Sequence, residues 1–264
     1  MTRDLMHQDD ILAAVRRAYR AIPAGAGRAM AGRLYQSLAD VPDAAVEWSL
    51  GVGDPVRHAG LRPGERVLDV GCGGGIDTVL AAREVGAEGH VTGLDMLPEM
   101  CDRARAAVDE AGVGGWCSFT TGRMEAIPLP DASVDVVVSN GVLNLSPRKS
   151  RALAEIFRVL RPGGRMCVAD LTVEEDLPPE VLTSDSAWAG CISGALSERV
   201  FTHKLEKVGF ASIEISERMA FGIDDVALYP LFDADVLDLM RRTIPAERQH
   251  DVCAGVIVRA RKPS

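Results

Sequence analysis

The chain has 264 residues, 47% of them hydrophobic, which suits a substantial buried core and argues against disorder along its length. Its 29 basic and 38 acidic side chains leave a net charge of −9, so no overall positive field draws in a nucleic-acid backbone and nucleic acid is excluded as a partner. The opening MTRDLMHQDD has no long apolar stretch, and no later segment offers the roughly 20 apolar residues of a membrane span. A soluble, cytoplasmic protein with no membrane partner is expected.

The first 60 residues read as helix and loop, with ILAAVRRAYRAI the best amphipathic piece and GAGRAMAG a flexible joint. They are expected to form a helical cap. From Arg66 onward strand-like and helix-like runs alternate: RVLDV, IDTVLAAREVG, HVTGLDM, PEMCDRARAAVDEAG, CSFTTG, VDVVVSN, RALAEIFRVL and RMCVADL. That alternation predicts an α/β fold, a doubly wound, mostly parallel Rossmann-like sheet with helices on both faces. In the second of these helices Met100, Ala104, Ala107, Val108 and Ala111 make one apolar stripe. Arg161-Pro162-Gly163-Gly164 is expected to end the following helix in a sharp turn, with the next strand at Met166 to Leu171. Beyond it come a small-residue loop ending in SAWAGCISGALS, a helix capped by Ser197, the strand SIEISERMAF, a helical VALYPLFDADVLDLMRRTI and a final strand DVCAGVIVRAR. Residues 61–220 are the expected main domain and 221–264 a C-terminal α+β extension completing the sheet.

The strongest chemical signal is VLDVGCGGGID, a buried strand running into glycines at 71, 73 and 75, where backbone without Cβ lets a ligand lie close to the first strand–helix turn. The dinucleotide fingerprint would need its last glycine at 76, where Ile76 stands, which counts against a nicotinamide enzyme. Asp95 closes the next strand where a carboxylate can accept from ribose hydroxyls, and Glu125 in GRMEAIP can flank an adenine. Asp69, Gly71, Asp95 and Glu125 then share the carboxyl edge of the sheet, which makes a nucleoside site. The six cysteines and five histidines are too dispersed for a local zinc pair, and no metal is expected.

These motifs, VLDVGCGGGID, VTGLDM, GRMEAIPLPDASVDVVVSN and FRVLRPGGRM, resemble in order and spacing those of class I methyltransferases that use S-adenosylmethionine. LGVGDPV, VVSNGVLNLSP and SAWAGCISGAL resemble the arsenite methyltransferase branch more narrowly. The resemblance implies S-adenosylmethionine as cofactor and S-adenosylhomocysteine as product. It places Gly71, Gly73 and Gly75 at the methionine part, Asp95 at the ribose, Met96 and Glu125 near the adenine and Asn140 at the methionyl end, with Asp69, Asp77, Met124 and Leu145 completing the set. In that branch cysteines hold trivalent arsenic, and the matching positions here are Val52, Gly141 and Cys191. A single remaining thiolate gives no chelate.

The expected acceptor is therefore a small organic nucleophile, in a pocket opened by Gly141 beside Asn140 and contacted by Asn144, Trp188, Cys191 and Tyr19. Asn140 and Cys191 are the candidate catalytic residues. No histidine or tyrosine is marked by spacing as a general base; Tyr19 and His203 are candidates by approach alone. Methylation of arsenite is the alternative acceptor reading, and a nucleoside-binding or metalloid-sensing module without turnover is the alternative from another class. The oligomeric state is left open.

Overall fold

A computed structural model describes residues 8–174 and 177–264. Seven strands form one sheet: β1 Arg66–Val70, β2 His90–Asp95, β3 Cys117–Thr121, β4 Val134–Asn140, β5 Leu160–Thr172, β6 Ala211–Phe221 and β7 Cys253–Arg261. Their spatial order is β3-β2-β1-β4-β5-β7-β6. The first five run parallel, and β7 lies antiparallel between β5 and β6. All seven residues of β4 are buried, as a central parallel strand covered by helices on both faces requires. The order reverses between β1 and β4, and a crevice opens there beyond the carboxyl ends of the strands.

The helix Pro98–Glu110 lays Met100, Cys101, Ala104, Ala107 and Val108 on the sheet, so Cys101 joins the expected stripe while Ala111 is only half-buried. Three segments depart from the sequence reading. GAGRAMAG is no joint: a helix spans Arg28–Leu34 and buries Met30 and Ala31, so apolar burial outweighs the one glycine inside the helix, Gly32. Arg161–Gly164 belongs to β5, which starts at Leu160, and the Gly163 N–H donates to the Lys262 carbonyl at 3.1 Å, tying the glycine-rich stretch to the end of the chain. The tail helix is two helices, Ile223–Val226 and Ala234–Thr243. Pro230 cannot continue the first, and the Asp233 carboxylate caps the second by accepting the Val236 N–H at 2.8 Å.

At the N-terminal end the helix Gln8–Arg20 packs on the short helix Asp185–Ala189, so the expected cap meets the loop that follows β5. Among the described residues no helix is long and apolar enough to cross a membrane.

Candidate functional site

A cleft of about 990 Å³ lies at the carboxyl ends of β1, β2 and β4, roofed by Tyr35, Trp48 and Ser49 from the N-terminal segment. Its floor is the turn after β1. Three of the four glycines of that turn, Gly71, Gly73 and Gly75, have positive φ, but for different reasons. A Cβ on Gly71 would stand 2.4 Å from Val142 Cγ2, and one on Gly75 would stand 2.9 Å from Ala104 Cα. Protein fills both spaces. A Cβ on Gly73 would meet nothing closer than the Gly71 carbonyl at 4.0 Å, so at this glycine the missing side chain leaves room for a ligand. Gly74 is needed by the roof, since a Cβ there would lie 2.7 Å from Trp48 Cβ.

The Gly73 N–H donates to Asp95 Oδ2 at 3.1 Å and the Leu97 N–H to Oδ1 at 2.9 Å, fixing the carboxylate across the turn. Burial raises the Asp95 carboxyl, and these backbone donors oppose that rise. At the Glu125 wall of the cleft, Ser146 Oγ donates to Glu125 Oε1 at 2.5 Å and Arg123 Nε to Oε2 at 3.3 Å. Met96, Met124 and Leu145 line the cleft.

At the other end Asn140, the last residue of β4, joins three segments. Its Oδ1 accepts the Val52 N–H at 2.8 Å, and its Nδ2 donates to the Gly53 carbonyl at 2.8 Å, Tyr35 Oη at 2.9 Å and Asp77 Oδ2 at 3.1 Å. Tyr35 donates its own hydroxyl proton to Asp77 Oδ2 at 3.0 Å. Asp77 Oδ1 is buried without a hydrogen-bond partner among the described residues. Burial, followed by the nearby Asp69 carboxylate, pushes Asp77 well above the usual carboxylate range. A buried carboxylate oxygen with no donor, in a cleft ending on this network, fits a ligand that brings an ammonium group, as the methionyl part of S-adenosylmethionine does.

A smaller chamber of about 310 Å³ adjoins the cleft and shares Tyr19 and Leu50 with it. Val52, Leu171, Phe221, Tyr229 and Phe232 give it aliphatic and aromatic walls, and Cys191 is its sulfur. Cys191 has φ +65°, a left-handed conformation seldom taken by a residue with a side chain, and its Sγ donates to the Gly141 carbonyl at 3.1 Å. Burial holds the thiol well above its ordinary value. A Cβ built on Gly141 would lie 3.6 Å from Val52 Cγ1, so positions 52, 141 and 191 converge although only one bears a thiol.

Of the residues singled out in the sequence, Gly71, Gly73, Asp77, Asp95, Met96, Met124, Glu125, Asn140, Gly141, Leu145 and Tyr19 line the cleft, and Cys191 with Tyr19 lines the chamber. Four lie behind these walls. Asp69 is buried under the turn, accepting from Thr78 Oγ1 at 2.6 Å. Gly75 packs on Ala104, and Asn144 donates to Asp170 Oδ1 at 2.8 Å and to the Leu171 carbonyl at 2.7 Å. Trp188 spends its indole N–H on the Leu145 carbonyl at 3.3 Å and lies 5.2 Å from Lys149 Nζ. His203 is exposed on the helix Glu198–Val208 and lines neither space. Tyr35, Trp48, Tyr229 and Lys149 were not marked by any motif. For the two tyrosines scarcity is the signal, since the chain has three tyrosines and all three line the cleft or the chamber; Trp48 and Lys149 carry no comparable one.

Comparison with known proteins agrees with this geometry. A family profile described as Methyltransferase domain matches residues 61–209. The arsenite methyltransferase of Halobacterium salinarum is 40% identical over 181 residues, covering 69% of this chain and 46% of the relative. A ubiquinone/menaquinone biosynthesis C-methyltransferase of Vibrio vulnificus is 36% identical over 114 residues, covering 43% of this chain and 44% of its own. The chain thus spans about half the length of these curated relatives. The crystal structure of an arsenic(III) S-adenosylmethionine methyltransferase from Chlamydomonas reinhardtii superposes with a TM-score of 0.68 at 33% identity, covering 92% of this chain and 74% of that one. With a seven-stranded sheet of this order and a cleft at its switch point, the chain belongs to the class I S-adenosylmethionine-dependent methyltransferases, in their arsenite methyltransferase-like branch.

Proposed function

We propose that the chain transfers the methyl group of S-adenosylmethionine to a trivalent arsenical held by Cys191 in the apolar chamber. The single observation that carries this reading is the convergence of positions 52, 141 and 191 beside a chamber that shares Tyr19 and Leu50 with the cofactor cleft. The relatives named arsenite methyltransferases support the same acceptor.

The sulfonium supplies an activated methyl group, so the protein's task is to align donor and acceptor and keep water out. Asp95 takes the ribose hydroxyls, its two oxygens already steadied by the Gly73 and Leu97 N–H groups. Asp77 Oδ1 takes the ammonium, while Tyr35 and Asn140 keep the other oxygen in place. Gly73, with open space where a Cβ would stand, would leave room for the cofactor at this turn. Cys191 fixes the acceptor by sulfur, and Phe221, Tyr229 and Phe232 exclude water around it.

A second reading has its own observation. Val52 and Gly141 offer no sulfur, so an organic nucleophile in the chamber would meet apolar walls and one thiol. Purified protein incubated with S-adenosylmethionine and either arsenite with glutathione or a panel of small thiols, phenols and carboxylates separates the two. Methylated arsenic that disappears in Cys191→Ser supports the first reading. S-adenosylhomocysteine formed with an organic acceptor and never with arsenic overturns it in favour of the second. Cofactor binding with no turnover on either set overturns both and leaves a binding module.

A further inference from the structure

Of the side chains with a buried nitrogen or oxygen that makes no hydrogen bond among the described residues, Ser49, through Oγ, and Asp77, through Oδ1, are the two that line the cleft. Ser49 is 4% exposed, and its backbone is fixed. Its N–H donates to the Val46 carbonyl at 3.2 Å, and a Cβ on Gly27 would lie 2.4 Å from its carbonyl oxygen, so Gly27 packs directly on it. The place of a Cβ on Gly51 is 2.4 Å from Asn140 Nδ2. Two residues of chain span at most about 7 Å, so Ser49 stands at the Asn140 end of the cleft, where Asp77 lies. The Ser49 hydroxyl also acts on the Tyr35 phenol, favouring its ionised form against burial. The other hydroxyl and amide donors of the cleft are engaged: Tyr19 with the Ala189 carbonyl, Tyr35 with Asp77, Asn140 with Tyr35, Gly53 and Asp77, and Ser146 with Glu125. Ser49 therefore brings to this end of the cleft a hydroxyl proton that no acceptor among the described residues takes.

We propose that Ser49 donates its hydroxyl proton to the carboxylate at the methionyl end of S-adenosylmethionine, and so makes the cleft selective for a cofactor whose amino-acid end is intact. This rests on the cofactor reading above, with Asp77 Oδ1 as partner of the ammonium, and holds whichever acceptor is methylated. An α-amino acid carries its ammonium and its carboxylate on one carbon, so a ligand that sets the first on Asp77 brings the second close beside it. Near the buried Asp77 and Asp69 carboxyls that second negative charge is costly unless a donor meets it. A hydroxyl facing a carboxylate forms a charge-assisted bond, roughly twice as strong as a neutral one. Ser49 and Asp77 thus present one donor and one acceptor, both held in place by the surrounding chain, to a zwitterion that needs both. A nucleoside thioether that lacks the carboxylate leaves the Ser49 hydroxyl buried and unpaired, and binds more weakly for that reason.

The test is calorimetric binding of three ligands to the full chain: S-adenosylhomocysteine, its decarboxylated analogue, which keeps the ammonium, and methylthioadenosine, which lacks both groups. The parent should bind S-adenosylhomocysteine about 10-fold or more tighter than the decarboxylated analogue. Ser49→Ala should weaken S-adenosylhomocysteine by about that factor and leave the other two within about twofold, so that the preference for the carboxylate disappears. Asp77→Asn should instead weaken both ligands that carry the ammonium and spare methylthioadenosine. The proposal is overturned if Ser49→Ala weakens all three ligands alike, as a merely structural role would, or leaves S-adenosylhomocysteine unaffected. Equal affinity of the parent for S-adenosylhomocysteine and its decarboxylated analogue overturns it as well. An Asp77→Asn chain that weakens all three alike overturns the ammonium contact, and a carboxylate preference lost in Ser49→Ala supports Ser49 in that case too. Should Ser49→Ala fail to fold, Ser49→Cys, whose thiol fills the position but is a weak donor, is read by the same comparison.

Discussion

Asn140 Nδ2 stands 3.1 Å from Asp77 Oδ2, and the same amide reaches the backbone of residues 52 and 53, so one side chain couples the floor of the cofactor cleft to a wall of the smaller chamber. Asn140→Ala removes a donor to a buried carboxylate and leaves the Val52 N–H and Gly53 carbonyl without this partner. Affinity for S-adenosylhomocysteine is expected to fall about 10- to 100-fold, and stability by about 2 kcal/mol. Calorimetric titration and denaturant unfolding of the same preparation would read both; unchanged affinity would remove Asn140 from the cofactor site.

The Asp77 carboxyl also has a pH signature. Burial raises Asp77 and its neighbour Asp69, so between the ordinary carboxylate range and these raised values the folded protein holds more protons than the unfolded chain. Stability contributed at these positions is therefore present at low pH and lost as pH rises through that window. Without cofactor, the melting temperature of Asp77→Asn relative to the parent should climb from pH 4.5 to pH 8. A cationic ligand group on Asp77 favours the ionised form, so saturating S-adenosylmethionine should reduce that difference. A constant offset at every pH would contradict the assignment.

The glycines of the turn separate packing from binding. Gly75→Ala brings a methyl to 2.9 Å from Ala104 Cα, and Gly71→Ala brings one to 2.4 Å from Val142; each should cost about 2 kcal/mol or more of stability from crowding and positive φ together. Gly73→Ala meets open space and carries only the backbone penalty, about 1 kcal/mol, but its methyl points where a ligand is expected. Thermal unfolding set against S-adenosylhomocysteine affinity should thus show Gly73→Ala as the mildest for folding and the most damaging to binding per unit of stability lost.

That division explains what could be read from the sequence. The strand–helix alternation, the turn at 71–75 and the carboxylate at 95 are local patterns, and the sheet places them where periodicity puts them. Asp69 and Asn144 look like site residues because they flank the motifs, yet each side chain is consumed by a neighbour, Thr78 or Asp170, which no spacing rule displays. Tyr35 and Tyr229 come from opposite ends of the chain, and their partners, Asp77 and the Gly51 carbonyl, lie 42 and 178 residues away. Such contacts belong to tertiary packing. GAGRAMAG misleads for the same reason: its glycines suggest freedom, whereas Gly27 is pinned because a Cβ there would lie 2.4 Å from the Ser49 carbonyl.

Lys149 and Cys191 supply the last prediction. Lys149 Nζ donates to the Ser146 carbonyl at 2.9 Å beside Trp188, and burial draws it down to about 8, so below that pH it carries a positive charge in a nearly closed environment. Its charge favours the Cys191 thiolate, opposing burial and the Asp170 carboxylate, both of which raise the thiol. Asp170 is itself pushed up to about 6 by burial, so above that pH the two charges act on Cys191 in opposite senses. Lys149→Met should therefore shift the Cys191 thiol further upward and slow its alkylation by iodoacetamide at pH 7.5 several-fold. Asp170→Asn should speed it. With the other cysteines followed by peptide mapping as internal standards, equal rates in parent and Lys149→Met would show that Lys149 acts only as a packing clamp on Trp188 and the Ser146 carbonyl.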